Sequence, residues 1–576
     1  MLQLLKYLRD YRKESILGPL FKLLEALLEL MVPLVVAAII DKGIGGGDRG
    51  YVVRMCLLLA VLGIVGLVSS VTAQYFAAKA AVGFAEKVRH ELFAHIQSLS
   101  YSEIDTIGTS TLITRMTSDM NQVQSCVNMC LRLLLRSPFV VFGAMIMAFT
   151  VDAKAALTFV VTIPLLSAVV FGIMLVCIPL YRRVQDKLDG VLCAARENLT
   201  GVRVIRAFCK EADEVRRFAQ SNRALTEAQE FVGKISALMN PVTYVIINVA
   251  IIALLQIGAL RVDQGIITQG AVVALYNYMS QILVELIKLA SLIISLTKSF
   301  ACGNRIQAVL EIQPSMIFPE ESAESKTSAK YAVEFRHADL RYQNAGENSL
   351  TDMHFAVKQG ETVGIIGGTG AGKTSLVNLI ARFYDVSGGE VLVDGVNVKN
   401  YTKSALRGKV GVVPQKAVLF KGTIRENLRW GKADATDEEI QDALTVAQAA
   451  EIVAGKEGGL DYEIAQGGKN LSGGQRQRLT IARALVKQPE ILILDDSASA
   501  LDFATDAALR KAIRNMPDRP TVFIVSQRAA SLLYADKIVV LDDGKIVGIG
   551  KHDELLQSCA VYAEIYHSQF KQQSEK

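Results

Sequence analysis

What this 576-residue chain lacks narrows it first. Charge of one sign is nearly absent in excess: 62 Lys and Arg against 57 Asp and Glu leave +5, spread along the chain. A nucleic-acid partner is therefore not implied. Cysteines are few and unpatterned: Cys56, Cys126, Cys130, Cys177, Cys193, Cys209, Cys302 and Cys559 have none of the paired spacing of a metal site. Cys126 and Cys130 stand four apart in a predicted helix, the arrangement of a structural thiol pair, and nothing argues for disulfides. No cleavable signal peptide is expected, because residues 1–15 are charged and amphipathic.

What is present is apolar sequence, unevenly distributed. Hydrophobic residues make up 51% of the chain, and mean hydropathy is +0.31. Residues 1–300 carry long apolar runs, whereas 330–576 read as a soluble α/β domain. At about 150 residues per domain the chain holds several units. Six segments have the roughly 20 apolar residues that a membrane crossing takes, near 16–40, 53–78, 130–151, 155–180, 238–260 and 270–294. Ahead of them, Lys6, Arg9, Arg12 and Lys13 among Leu and Tyr suit a helix over 1–15 lying on the inner membrane face.

Orientation follows from the cations. Residues 181–237 carry eleven Lys and Arg, while loops 41–52, 152–154 and 261–269 carry one or two each. The positive-inside rule puts both termini and the long loops in the cytoplasm of a cell (plasma) membrane protein. Span two runs without a breaker into Glu86–Ser98, and span four does the same, which predicts two long cytoplasmic hairpins. Pro33, Pro164 and Pro241 are expected to kink their spans. Expected boundaries are a membrane domain over 1–312, a Pro- and Ser-containing linker over 313–330, and a nucleotide domain over 331–576.

Ionisable residues inside spans are costly and invite a functional reading. Lys22, Glu25 and Glu29 share one face of span one; Glu285 and Lys288 share a face of span six beside Asn277 and Gln281. Two readings stand, a polar or cation-attracting cavity between helices and intrahelical ion pairing.

The nucleotide domain is organised around Gly367-Gly368-Thr369-Gly370-Ala371-Gly372-Lys373-Thr374, which reads G-x-x-x-x-G-K-T. The apolar run Thr362–Ile366 predicts a strand before it, and Ser375–Phe383 a helix after it. Such a turn aims backbone N–H groups and a helix N-terminus at one point, where phosphate is stabilised. Lys373 would reach the β- and γ-phosphates, and the Thr374 hydroxyl would hold Mg²⁺. ATP with Mg²⁺ is the expected cofactor.

Other stretches fit around that loop. Tyr342 lies 25 residues before Gly367 and offers a face for adenine, or is an ordinary surface or core tyrosine. Gln415 ends the strand-like run Val410–Pro414 and can bond a metal-bound water. Leu471-Ser472-Gly473-Gly474-Gln475 opens the helical run Arg476–Lys487 and makes a second anion site. The run Ile491–Leu494 ends in Asp495, suited to the Mg²⁺ shell, and Asp496, placed as base for an attacking water. Val522–Ser526 ends in Gln527.

Together these motifs resemble the ATP-binding cassette (ABC) family, and the six spans resemble its exporter type. The expected fold is an α-helical six-span transmembrane domain followed by an α/β P-loop ATP-binding cassette domain. The resemblance implies that Tyr342 stacks adenine, Gln415 is the Q-loop glutamine, Leu471–Gln475 is the signature and Ser499–Asp502 the D-loop. It implies coupling helices near Tyr101–Ile107 and Ala207–Arg217. It also implies two cassettes meeting head to tail, each ATP lying between one phosphate loop and the partner's signature. With one cassette and six spans, the chain resembles a half-transporter that must dimerise. No cysteine-protease domain precedes span one, which disfavours a peptide exporter. Multidrug efflux of small hydrophobic compounds is the default expectation, with a lipid translocase or a non-transporting ATP-binding regulator as alternatives.

Two positions depart from the family pattern. The general-base glutamate after the Walker acid is Asp496, and the switch histidine is Gln527. The expectation is an own site that binds ATP well and hydrolyses it slowly, with an intact signature serving a competent site on a related partner chain. A slow homodimer is the alternative.

Overall fold

A computed structural model describes residues 2–323, 330–343, 345–497 and 499–570; the expected linker thus falls partly outside the described residues. Two compact units are present. One comprises residues up to Gln97 with Thr109–Ile312, the other Ser98–Gly108 with the chain from Gln313 onward.

The first unit is helical. Among the described residues, six stretches are long and apolar enough to cross a membrane: Gln3–Ile44, Arg49–Ser98, Thr109–Val151, Ala153–Thr200, Glu211–Asp263 and Gln269–Leu310. The helix Arg49–Ser98 is unbroken over 50 residues. At 1.5 Å per residue that is about 75 Å, more than twice the roughly 30 Å of hydrocarbon a bilayer offers. Small residues allow close helix approach: Ala73, Ala77, Ala80 and Ala81 are buried, and Gly18 lies against the Ala77 backbone.

The prolines act unequally. Pro33 and Pro164 lie inside continuous helices, Arg12–Ala38 and Ala153–Thr200. Near Pro241 the chain breaks instead: Glu211–Ala237 ends and Met239–Asp263 begins. Pro241 therefore sits in a first turn, where its missing N–H costs little.

Of the two expected hairpin-tip helices, Tyr101–Ile107 forms as expected. The second differs. Its short helix is Val202–Ala207, and Cys209 turns the chain with φ of 52°. Residues 211–217 belong to the long helix Glu211–Ala237, whose first turn carries Glu211, Asp213 and Glu214 against the positive helix end.

The second unit is built on a six-stranded sheet. Its spatial order is Lys545–Gly550, Lys537–Asp542, Thr362–Gly367, Thr521–Val525, Ile491–Asp495, Val410–Val413. Every pairing is parallel except the outer hairpin. The central strands are buried along their length, which is why they read as continuous Val/Ile/Leu runs. A four-stranded antiparallel sheet, ordered Leu350–Val357, Val333–Leu340, Gly388–Val393, Val396–Asn397, packs beside it.

Candidate functional site

Strand register decides what meets the phosphate loop. In the parallel sheet Val525 pairs with Ile365 on one side and Asp495 on the other. The strands therefore end at one level and deliver Gly367, Asp495–Asp496 and Gln527 to one crevice, the place where open α/β sheets bind ligands. A cleft of about 310 Å³ lies there, lined by Tyr342, Ser349, Thr369, Gly370, Gly372–Ser375, Gln415, Asp495, Asp496, Val525 and Gln527.

Two glycines are dictated by the loop's path. A Cβ on Gly367 would run into the Leu541 carbonyl, and one on Gly372, at φ of +89°, would lie 2.6 Å from Leu350 Cδ2. Gly368, Thr369, Gly370 and Ala371 complete the loop between them, ahead of the helix Lys373–Ile380.

Lys373 is buried, and its ammonium donates to the Gly367 and Gly368 carbonyls at 2.9 and 2.5 Å. Burial pulls its pKa down, partly offset by the charges of Asp496 and Asp495. A buried ammonium bonded only to neutral oxygens beside a helix N-terminus fits a polyphosphate. The Thr374 hydroxyl stands 3.0 Å from both carboxylate oxygens of Asp495, whose carboxyl burial pushes above the ordinary range. Hydroxyl and carboxylate side by side are hard-oxygen donors suited to Mg²⁺. A bound Mg²⁺ would neutralise charge on the phosphates.

Asp496 sits past the strand end with φ of 45°. Its N–H donates to the Val525 carbonyl at 3.0 Å, and Gln415 Nε2 reaches its Oδ2 at 3.4 Å. Gln527 lines the same cleft, with its backbone carbonyl held by Gln569 Nε2 at 2.7 Å. Tyr342 is tethered by a 2.8 Å hydroxyl contact to Ser375 Oγ.

Leu471–Gln475 does not line this cleft. Ser472 caps the helix Gly473–Leu485: its hydroxyl accepts the Gln475 N–H, and the Gln475 side chain accepts the Ser472 N–H. Arg476 braces the loop by donating to the Gly468 and Leu471 carbonyls. The expected signature is thus capped and braced by hydrogen bonds, and it does not line the cleft at its own chain's phosphate loop. Asp502, in the expected D-loop, caps the helix Phe503–Arg514.

In the membrane unit, Lys22–Glu25 and Glu285–Lys288 pair within their helices, at 2.5 and 2.8 Å. Arg136 was not among the sequence candidates. It joins Glu29 and Glu285 across helices, 2.6 Å from each. The two arginines inside a predicted span, Arg132 and Arg136, were the available signal.

Residues 350–499 match the family described as ABC transporter, and residues 15–286 match its transmembrane region. The chain belongs to the ABC transporter family. This ABC transporter is 37% identical over 569 residues to an uncharacterized ABC transporter ATP-binding protein of Mycobacterium bovis, covering 98% of this chain and 97% of that one. It is 32% identical to an ATP-dependent lipid A-core flippase of Desulfotalea psychrophila over 84% of each chain. It is 30% identical to a putative multidrug export ATP-binding/permease protein of Bacillus subtilis over 98% of each. In fold it is similar to a bacterial Atm1-family ABC exporter solved with ATP bound, with a TM-score of 0.80 over 97% of this chain and 98% of that one, at 23% identity. It is an exporter-type half-transporter, an ATP-driven ABC exporter.

Proposed function

We propose that this ABC exporter is the slow-hydrolysing half of an asymmetric pair that expels small hydrophobic compounds. ATP and Mg²⁺ are held by Lys373, Thr374 and Asp495, with adenine against Tyr342. The signature at Leu471–Gln475 closes a competent site on a second, related half-transporter. Binding energy clamps the cassettes together, and hydrolysis at the partner's site releases them. Both termini face the cytoplasm of a plasma-membrane protein, in line with the cation-rich segment 181–237.

The observation that carries this reading is Asp496 and Gln527 facing one cleft with Lys373. Aspartate is one C–C bond shorter than glutamate, about 1.5 Å, and a 1 Å misplacement costs roughly 10²-fold in rate. Glutamine can donate to a γ-phosphate but never becomes cationic. Both changes weaken the same step while leaving nucleotide binding intact.

The test is purification of the tagged chain from its native membrane. The reading expects a related cassette chain to copurify, with Glu and His at the positions matching 496 and 527. A homodimer hydrolysing ATP quickly, at a rate that Asp496→Asn abolishes, overturns it. The lipid A-core flippase relative favours a second reading, translocation of lipid amphiphiles. Competition between phospholipid and hydrophobic dye for transport separates the two.

A further inference from the structure

The membrane unit holds a cavity of about 350 Å³ lined by Glu29 and Pro33 of one helix and Asn277, Gln281, Glu285 and Lys288 of another. Its depth follows from helix geometry. Glu29 lies about 22 Å from the helix end at Ile44, Glu285 about 24 Å from the start at Gln269, and Arg136 about 22 Å from Val151, at 1.5 Å per residue. Glu29, Glu285 and Arg136 thus share one level, within the roughly 30 Å that a hydrocarbon core spans.

Among the charged residues that line the cavity and the arginine bonded to them, the signs balance: Glu29 and Glu285 against Arg136 and Lys288. Arg136 and Glu285 form the anchored centre, their side chains 7% and 4% exposed, and Ser137 adds a 2.9 Å bond to Glu285. The outer two members are different. Glu29 is 40% exposed and bonded through Oε2 alone. Lys288 is 41% exposed and bonded once, to Glu285. In the same lining, Gln281 Oε1 is buried with no hydrogen-bond partner. The rest of the lining is Ser280, whose hydroxyl donates to the Tyr276 carbonyl at 3.1 Å, and the apolar Val32, Val36 and Val284.

We infer that this cavity takes the headgroup of a zwitterionic amphiphile, its ammonium toward Glu29 and its anionic group toward Lys288, with the tail along the valines. The inference rests on the exporter reading but not on the slow site or the heterodimer. A ligand of net charge would leave an unbalanced charge in a low-dielectric setting, where that is most costly. An uncharged ligand would leave the outward faces of Glu29 and Lys288 and the Gln281 oxygen unmatched. A zwitterion answers both signs and keeps the sum at zero.

The test is equilibrium binding of labelled lysophosphatidylethanolamine to the full-length protein in nanodiscs without nucleotide. Competitors are dodecyl sulfobetaine, dodecyl sulfate and dodecyltrimethylammonium. The expected result is that the sulfobetaine competes at roughly tenfold lower concentration than either singly charged amphiphile, the scale of one unmatched ion pair. Glu29→Gln should then move preference toward the sulfate, and Lys288→Met toward the trimethylammonium. Neither substitution strands a buried charge, because Arg136 keeps Glu285 and Glu285 keeps Arg136 and Ser137. Equal competition by all three amphiphiles overturns the inference, as does a parallel loss of all binding in both variants with ATP binding retained. Should a variant not fold, the wild-type ranking decides alone. Competition by diacyl phosphatidylethanolamine marks a membrane-lipid source; its failure, with the sulfobetaine competing, marks a non-lipid one. Hydrolysis rates test the slow-site reading separately.

Discussion

The ring of Tyr384 meets that of Tyr342 edge-on, with centroids 5.0 Å apart and planes at 89°. Tyr384 donates its hydroxyl to Asp105 at 2.6 Å, and the Tyr101 and Phe383 rings meet tilted at 32°, with centroids 4.8 Å apart. Ser102 and Thr106 both donate toward Gln343 Oε1, at 3.2 and 3.4 Å. The short helix Tyr101–Ile107 thus rests on the residues flanking the proposed adenine platform. A purine settling on Tyr342 would press on an aromatic pair already bonded to that helix.

This contact separates binding from transmission. Tyr342→Ala is expected to weaken ATP binding by about tenfold or more, the scale of a lost base–aromatic stack. Tyr384→Phe keeps the ring edge but loses the Asp105 bond. It should leave ATP affinity within about twofold, the ring contact being the larger part, and reduce the stimulation of hydrolysis by transported compounds. Fluorescent-nucleotide titration and stimulated ATPase assays measure the two; equal loss of both in Tyr384→Phe would contradict the division.

Asp495 gives a pH-dependent prediction. Burial raises its carboxyl above the ordinary value; the Thr374 hydroxyl opposes the rise and Asp496 adds to it. An acid raised on folding contributes stability below its unfolded pKa of about 3.9, and that stability is lost as pH climbs through the folded value. At neutral pH, without metal, Asp495 is therefore held at a cost. Asp495→Asn should raise the thermal midpoint of the Mg²⁺-free, nucleotide-free protein at neutral pH, with the gain narrowing toward about pH 4. The same variant should no longer be stabilised by ATP with Mg²⁺. A wild type more heat-stable than the variant without metal at neutral pH would contradict this.

Arg136 gives a stability prediction. Its guanidinium bridges Glu29 and Glu285, 2.6 Å from each. Removing one partner of a buried ion network costs about 3–5 kcal/mol, so Arg136→Met should lower the thermal midpoint of the full-length protein in nanodiscs. Lys288→Met removes a half-exposed partner and should cost less. Equal midpoints for the two variants would contradict the central place of Arg136.

Much of this was legible in the sequence because the chemistry is local. Gly367–Thr374 and Leu471–Gln475 are each short contiguous stretches that open a helix, and the apolar run Ile491–Leu494 announces the buried strand that ends at Asp495. The Tyr342–Tyr384 pair was not legible, since two strands, Leu350–Val357 and Thr362–Gly367, and the helix Lys373–Ile380 intervene between the two residues. Arg136 meets Glu29 and Glu285 across 107 and 149 residues, a distance no periodicity spans. The second hairpin tip was placed too late because its turn, at Phe208-Cys209-Lys210, carries neither Gly nor Pro; Cys209 takes the left-handed backbone instead.

The proposed division of labour between unlike halves rests on Asp496 and Gln527. The direct measurement is steady-state ATP hydrolysis by the chain purified alone in nanodiscs, wild type against the double variant Asp496→Glu, Gln527→His. The account predicts a slow wild type and a gain of about 10²-fold in the variant, the size of the repaired base geometry. A wild type that already turns over rapidly, with no gain in the variant, would contradict it.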